Sequence, residues 1–256
     1  MAKGDRIEDV LEGRISQINH CKYYRSIIPV SKVHNPVADR IRRNLNAWHS
    51  GKIQNKANAD FYIPLQDVVF IDIETRGLKY KNQTFLNGLA YYSQSRGEFV
   101  FDGLFARDPY EEEAIMNAFA HLTKSTKGII TFNGTFDLSR LENRFLTYLR
   151  NWKWPRDKHL DMYHAITKYN KATGFTGRKL TEYEVAIFRF KREEDDVAGE
   201  NIPKAYTRYQ NGGDPEPLAR VVKHNCLDIF TTAAIYIYLL RNPSHFNESL
   251  LENLNF

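Results

Sequence analysis

An α/β fold with a mixed, five-stranded sheet flanked by helices is the class this sequence predicts. Three observations predict it. "VVFIDIETRGL", residues 68–78, is an apolar strand that carries two acids. "FLNGLAYY" and "GEFVFDGLF" follow it, rich in aromatic and β-branched residues, with "SQSRG" as turn chemistry between them. Helical and strand-like segments then alternate to about residue 240, which places helices on both faces of the sheet.

Each element has its own justification. In residues 1–66, "VADRIRRNLNAW" sets Val37, Ile41, Leu45 and Trp48 on one helical face. Arg40, Arg42, Arg43 and Lys52 lie around its other sides, as a solvated surface in the favoured reading and as a nucleic-acid arm in the alternative. "SGKIQNKANAD" is a polar connection. "PYEEEAIMNAFAHLTK" is a helix with acids in its first turn and Ile115, Phe119 and Leu122 inward. "GIITF" is a short buried strand. "FDLSRLENRFLTYLR", 136–150, is a helix with Leu138, Leu141, Phe145 and Leu149 inward. "HLDMYHAI" is a strand running into a helix. Residues 171–217 are irregular with short helices, and a long helix covers about 218–240. The chain divides into an N-terminal, partly helical extension (1–66), a main domain (67–241) and a C-terminal tail (242–256).

Bulk properties narrow the function classes. Of 256 residues, 42% are hydrophobic, enough for one sizeable core. No apolar run approaches the ~20 residues of a membrane span. The charged start "MAKGDRIEDVLEGR" lacks an apolar signal core, so the expected location is cytoplasmic. Cys21 and Cys226 match no disulfide framework or zinc pattern. A net charge of +5 leans mildly toward an anionic partner.

The acids are the candidates for chemistry, although taken singly the D-x-E pair could face solvent from a strand end and His224 with Asp228 could be an exposed pair. In a strand, residues i and i+2 share a face, so Asp72 and Glu74 stand together with Val68 and Phe70. Two carboxylates ~6–7 Å apart repel each other unless a cation lies between them. Hard divalent ions such as Mg²⁺ prefer such oxygen ligands. "TFNGTFDL" puts Asp137 in the first turn of a helix, a position that also suits an ordinary capping acid. In "KHNCLDIF", His224 and Asp228 are i and i+4 on one helical face. "HLDMYH" adds Asp161, between His159 and His164, at a spacing that fits no standard zinc site. Basic residues mix with rings in two places: Lys168, Lys171, Arg178 and Lys179 with Tyr169 and Phe175, and Lys191, Arg192, Lys204 and Arg208 with Tyr206. That mixture can track a nucleic-acid backbone and stack on bases. The acidic run 193–196 works against it.

These motifs, in this order, resemble the DEDD exonuclease superfamily. The segments "FIDIETRGL", "IITFNGTFDLSRLENRF", "HLDMYH", "FKREEDDVAGENIPKAY" and "HNCLDIF" are similar to its YprB-like, ribonuclease-H-like branch. The resemblance spans roughly 67–241 and implies a ribonuclease-H-like fold and a two-metal nuclease. It implies that Asp72, Glu74, Asp137 and Asp228 hold two Mg²⁺ or Mn²⁺ ions. Asp72 would bridge them, and His224 would orient or deprotonate the attacking water. His224 departs from both common patterns, because it sits at the spacing where one branch has tyrosine. Asp161 is expected to be structural. Gly77 and Leu78 would pack on the terminal nucleotide, Arg76 would reach a phosphate, and Asn133 completes the candidate substrate contacts.

The expected activity is 3′→5′ exonuclease cleavage of single-stranded DNA or RNA to 5′-mononucleotides. A structure-selective endonuclease or flap trimmer on the same site is one alternative. A catalytically silent nucleic-acid-binding module is another. No membrane partner is expected, and residues 1–66 are a candidate interface for a homo-oligomer.

Overall fold

The structure, a computed structural model, describes residues 6–149, 158–193 and 196–253. The first five residues of the N-terminal extension, the end of the 136–150 helix, two acids of the 193–196 run and the last three residues of the tail lie outside them. The strands are β1 (Arg14–Ile18), β2 (Cys21–Pro29), β3 (Val68–Thr75), β4 (Thr84–Ser93), β5 (Glu98–Phe105), β6 (Gly128–Thr131) and β7 (His159–Asp161). The α-helices are α1 (Ile7–Val10), α2 (Pro36–His49), α3 (Glu112–Thr123), α4 (Thr135–Tyr148), α5 (Met162–Ala165), α6 (Thr167–Thr173), α7 (Leu180–Phe188), α8 (Ile202–Gln210) and α9 (Glu216–Arg241).

One mixed sheet runs in the order β1-β2-β5-β4-β3-β6-β7. Pairs from β1 to β3 are antiparallel; β3-β6 and β6-β7 are parallel. The mixed α/β class is as expected, but the sheet has seven strands rather than five. The two extra strands form a hairpin within residues 14–29. Its turn uses Asn19 and His20, both at positive φ (48° and 65°), where Asn-Gly is the familiar signal. The buried positions of "CKYYRSIIP" do not alternate, so the strand lacks a clean period of two.

Two cores sandwich the sheet. Val68 and Phe70 of β3 face α2 and α9, while Val69, Ile71 and Ile73 face α3 and α4. Helix α2 starts at Asn35, whose side chain accepts from Ala38 N–H at 2.8 Å, and Pro36 fills its first position. Its expected apolar face holds: Val37, Ile41 and Trp48 are buried. Trp48 packs against Phe70 and Tyr236 at ring separations of 6.1 and 5.5 Å. Its indole N–H donates to Ile63 O at 2.9 Å, so the ring is buried with its donor satisfied. Residues 14–63 thus share one core with the rest of the chain.

Candidate active site

Strand β3 positions the first two acids. Strand β6 pairs with it only along Val68–Phe70, so the last residues of β3 overhang on that side. Asp72 and Glu74 lie on this overhang, half-buried, on the face toward α9. Asp137 enters from α4 and accepts the Ile73 N–H at 3.1 Å, docking on the free edge of β3. Asp228 enters from α9. Burial, then the charges of Asp137, Glu74 and Asp228, push the Asp72 carboxyl well above its ordinary range. Glu74 is pushed up to about 8 by burial and by Asp228 and Asp137, with His224 acting against them. Burial takes Asp137 to about 7 against the opposing hydrogen bond from Ile73. The four acids the sequence singled out therefore converge closely enough that the charges of Asp137 and Asp228 raise the proton affinity of both Asp72 and Glu74.

His224 stands beside them. Its Nδ1 lies 2.7 Å from Asp196 Oδ1, and its Nε2 lies 3.4 Å from Asp228 Oδ2. Two groups meet Nδ1: the Asp196 carboxylate, which only accepts, at 2.7 Å, and Arg192 Nη1, which only donates, at 3.2 Å; the shorter contact favours a proton on Nδ1 donated to Asp196. Burial lowers the imidazole's proton affinity, but Asp196, Asp228 and Glu74 outweigh it and the net shift is upward. The Arg192 side chain, 6% exposed, lies in the same place. It donates to Glu184 at 2.6 and 2.8 Å, to Asp196 at 3.2 Å, and to Asp228 Oδ1. Glu184 is buried and accepts from Thr231 Oγ1 at 2.5 Å. Arg192 therefore turns inward to carboxylates, not outward to a phosphate. The sequence pairs it with surface lysines because nothing in "FKREEDD" marks the direction in which an irregular segment turns.

The candidate substrate contacts occupy the rim. Leu78 is 82% exposed, and Tyr80 beside it is 48% exposed. Gly77 has φ +154°, and a Cβ there would meet Asn82 Nδ2 at 2.6 Å. The Leu78 carbonyl accepts from Arg140 Nη2 at 2.5 Å, which ties the turn to α4. Arg76 donates to Gln83 at 2.9 Å and lies over the Tyr206 ring. Asn133 is exposed at φ 57°, with its N–H donated to Asp161 Oδ1 at 2.8 Å. Asp161 also accepts from Gly134 and Tyr163 N–H groups, so it shapes the turn that launches α4. Neither Tyr169 nor Tyr206 is free to stack on a base. Tyr169 is buried, and Tyr206 stacks on Phe85 at 4.1 Å with its hydroxyl on Ala106 O.

The donor set fits a divalent cation. It is all hard oxygen, and among the described residues no lysine or arginine bonds Asp72 or Glu74. As the side chains stand, no three ligating groups among the described residues surround a common cation-sized point. Asp228, held by Arg192, would have to share or release that contact to join the others. No helix among the described residues is long and apolar enough to cross a membrane.

Comparison with known proteins bears on this arrangement. The uncharacterized protein YprB of Bacillus subtilis (strain 168) is 25% identical over 202 residues. The match covers 76% of this chain but 47% of YprB, so the chain spans about half the length of that relative. A family model described as RNase_H superfamily matches residues 69–240. That stretch begins in β3 and closes near the end of α9, so it holds the strand acids, Asp137, His224 and Asp228, and on this match the chain belongs to the ribonuclease H superfamily.

Proposed function

We propose that the chain is a divalent-cation-dependent 3′→5′ exonuclease that hydrolyses single-stranded DNA or RNA to 5′-mononucleotides. The observation that carries the reading is the convergence of four carboxylates, from β3, α4 and α9, beside a histidine held by Asp196. Asp72, Glu74, Asp137 and Asp228 would hold two Mg²⁺ or Mn²⁺ ions. Such ions, when bound, stabilise charge on the attacking and leaving oxygens of a phosphodiester.

The chain's own groups supply the rest. With its Nδ1–H donated to Asp196, neutral His224 presents a lone pair at Nε2, on the side of the acids. That atom takes a proton from water and later returns it to solvent. Leu78, exposed on a turn anchored by Arg140, offers an apolar face to a terminal base, and Arg76 lies beside it for phosphate. Frayed ends suit such a rim better than duplex, whose unpairing costs a few kcal/mol.

The test uses 5′-labelled linear strands and circular single strands, as DNA and as RNA, with Mg²⁺ or Mn²⁺. A ladder shortening one nucleotide at a time, with circles left intact, supports the reading. Cut circles would replace it with the endonuclease, and binding without cleavage would replace it with the silent module.

A further inference from the structure

Asn225 lies on α9 between His224 and Asp228 and is fully buried. Its Nδ2 donates to Asp72 Oδ2 at 2.6 Å. Its Oδ1 has no hydrogen-bond partner among the described residues. The side chain rests over Gly88, the residue paired with Asp72 across β3 and β4. A Cβ on Gly88 would stand 1.9 Å from Asn225 Oδ1 and 2.7 Å from Ile229 Cδ1. Gly88 is not among the glycines at positive φ, so what this position requires is space.

A buried amide with an orphaned oxygen is destabilising, and a leucine of similar shape would fill the space without that penalty. The amide is therefore explained by what its N–H groups do at the strand acids, at Asp72 above all and at Glu74 as well. A neutral donor suits that task. A lysine or arginine would neutralise the carboxylate and compete with a cation, while another acid would add repulsion. An amide restrains the carboxylate and leaves its charge available.

We propose that Asn225 is a positioning residue for cation binding, fixing the Asp72 carboxylate so that its other oxygen serves the ion, and that Gly88 supplies the space that admits it. The inference rests on the metal-binding reading of the acids.

The test titrates Mn²⁺ calorimetrically into the metal-free full chain and records the metal-free Tm of each variant. Asn225→Leu is expected to weaken Mn²⁺ binding at least tenfold while Tm stays level or rises. The resonance spectrum of the bound Mn²⁺ should change, since a ligand has lost its restraint. Gly88→Ala, which pushes the amide away from the opposite side, should weaken binding likewise. A folded Asn225→Leu with wild-type Mn²⁺ affinity overturns the proposal. If that variant does not fold, Asn225→Ala and Gly88→Ala are judged by the same criterion. Wild-type protein that binds no Mn²⁺ removes the metal reading and this inference together. Binding by wild type that every variant matches removes the positioning role alone.

Discussion

At the scale of single residues, the proposed site separates acids that would carry charge for a cation from groups that set geometry. His224, with its Nδ1 side held against Asp196, belongs to neither kind: its proposed part is to move a proton. Replacing His224 with alanine should slow cleavage by about 10²–10⁴, the usual worth of a general base, and leave Mn²⁺ affinity within a few-fold of wild type. Asp228→Asn, one helical turn away, should lower both. Parallel rate and calorimetric measurements decide this; an equal loss of affinity in the two variants would make the histidine a ligand or a structural group. The acids and His224 were legible in the sequence because each sits at a fixed local spacing. Asp196, Arg192 and Asn225 were not. Asp196 and Arg192 come from an irregular segment whose path only tertiary packing sets, and Asn225 matters through a glycine on another strand.

At the scale of elements, the long helices α2, α3, α4 and α9 and the central strands followed from periodicity, while α1, α7, α8 and the β1–β2 hairpin did not. The hairpin's turn has no glycine, and β2 buries residues on both faces, so neither hairpin chemistry nor alternation marks it. The consequence reaches the site. Strand β2 pairs with β5, β5 with β4, and β4 with the strand that carries Asp72 and Glu74. Helix α2 adds Trp48, buried against Phe70 of that same strand. Trp48→Ala should therefore cost about 3–5 kcal/mol of unfolding free energy. Denaturant unfolding checks it, and a loss under about 1 kcal/mol would show that residues 36–49 are an appendage rather than part of the core.

At the scale of the whole molecule, clustering the acids makes the metal-free fold sensitive to pH. Asp72, Glu74 and Asp137 all have raised folded-state values, the last two about 8 and 7, against about 4 when unfolded. Between those limits the folded chain holds more protons than the unfolded one, so stability falls as pH rises from about 4 to 8. His224, also raised, pushes in the same direction above its unfolded value. With chelator present, Tm should drop between pH 5 and pH 8.5, and Mn²⁺ should remove much of that drop by binding the deprotonated site. A Tm that is flat with pH, or unmoved by Mn²⁺, would mean the acids do not act as one cluster. The fold around them is a ribonuclease H superfamily domain, and the account stands on that cluster being a cation-dependent catalytic centre. The most direct test is the rate of single-strand cleavage by wild type and by Asp72→Asn across a Mn²⁺ titration. The account predicts cleavage that rises with Mn²⁺ in the wild type, vanishes with chelator, and falls at least about 10³-fold in Asp72→Asn at every Mn²⁺ concentration. Cleavage by a folded Asp72→Asn at the wild-type rate would contradict it.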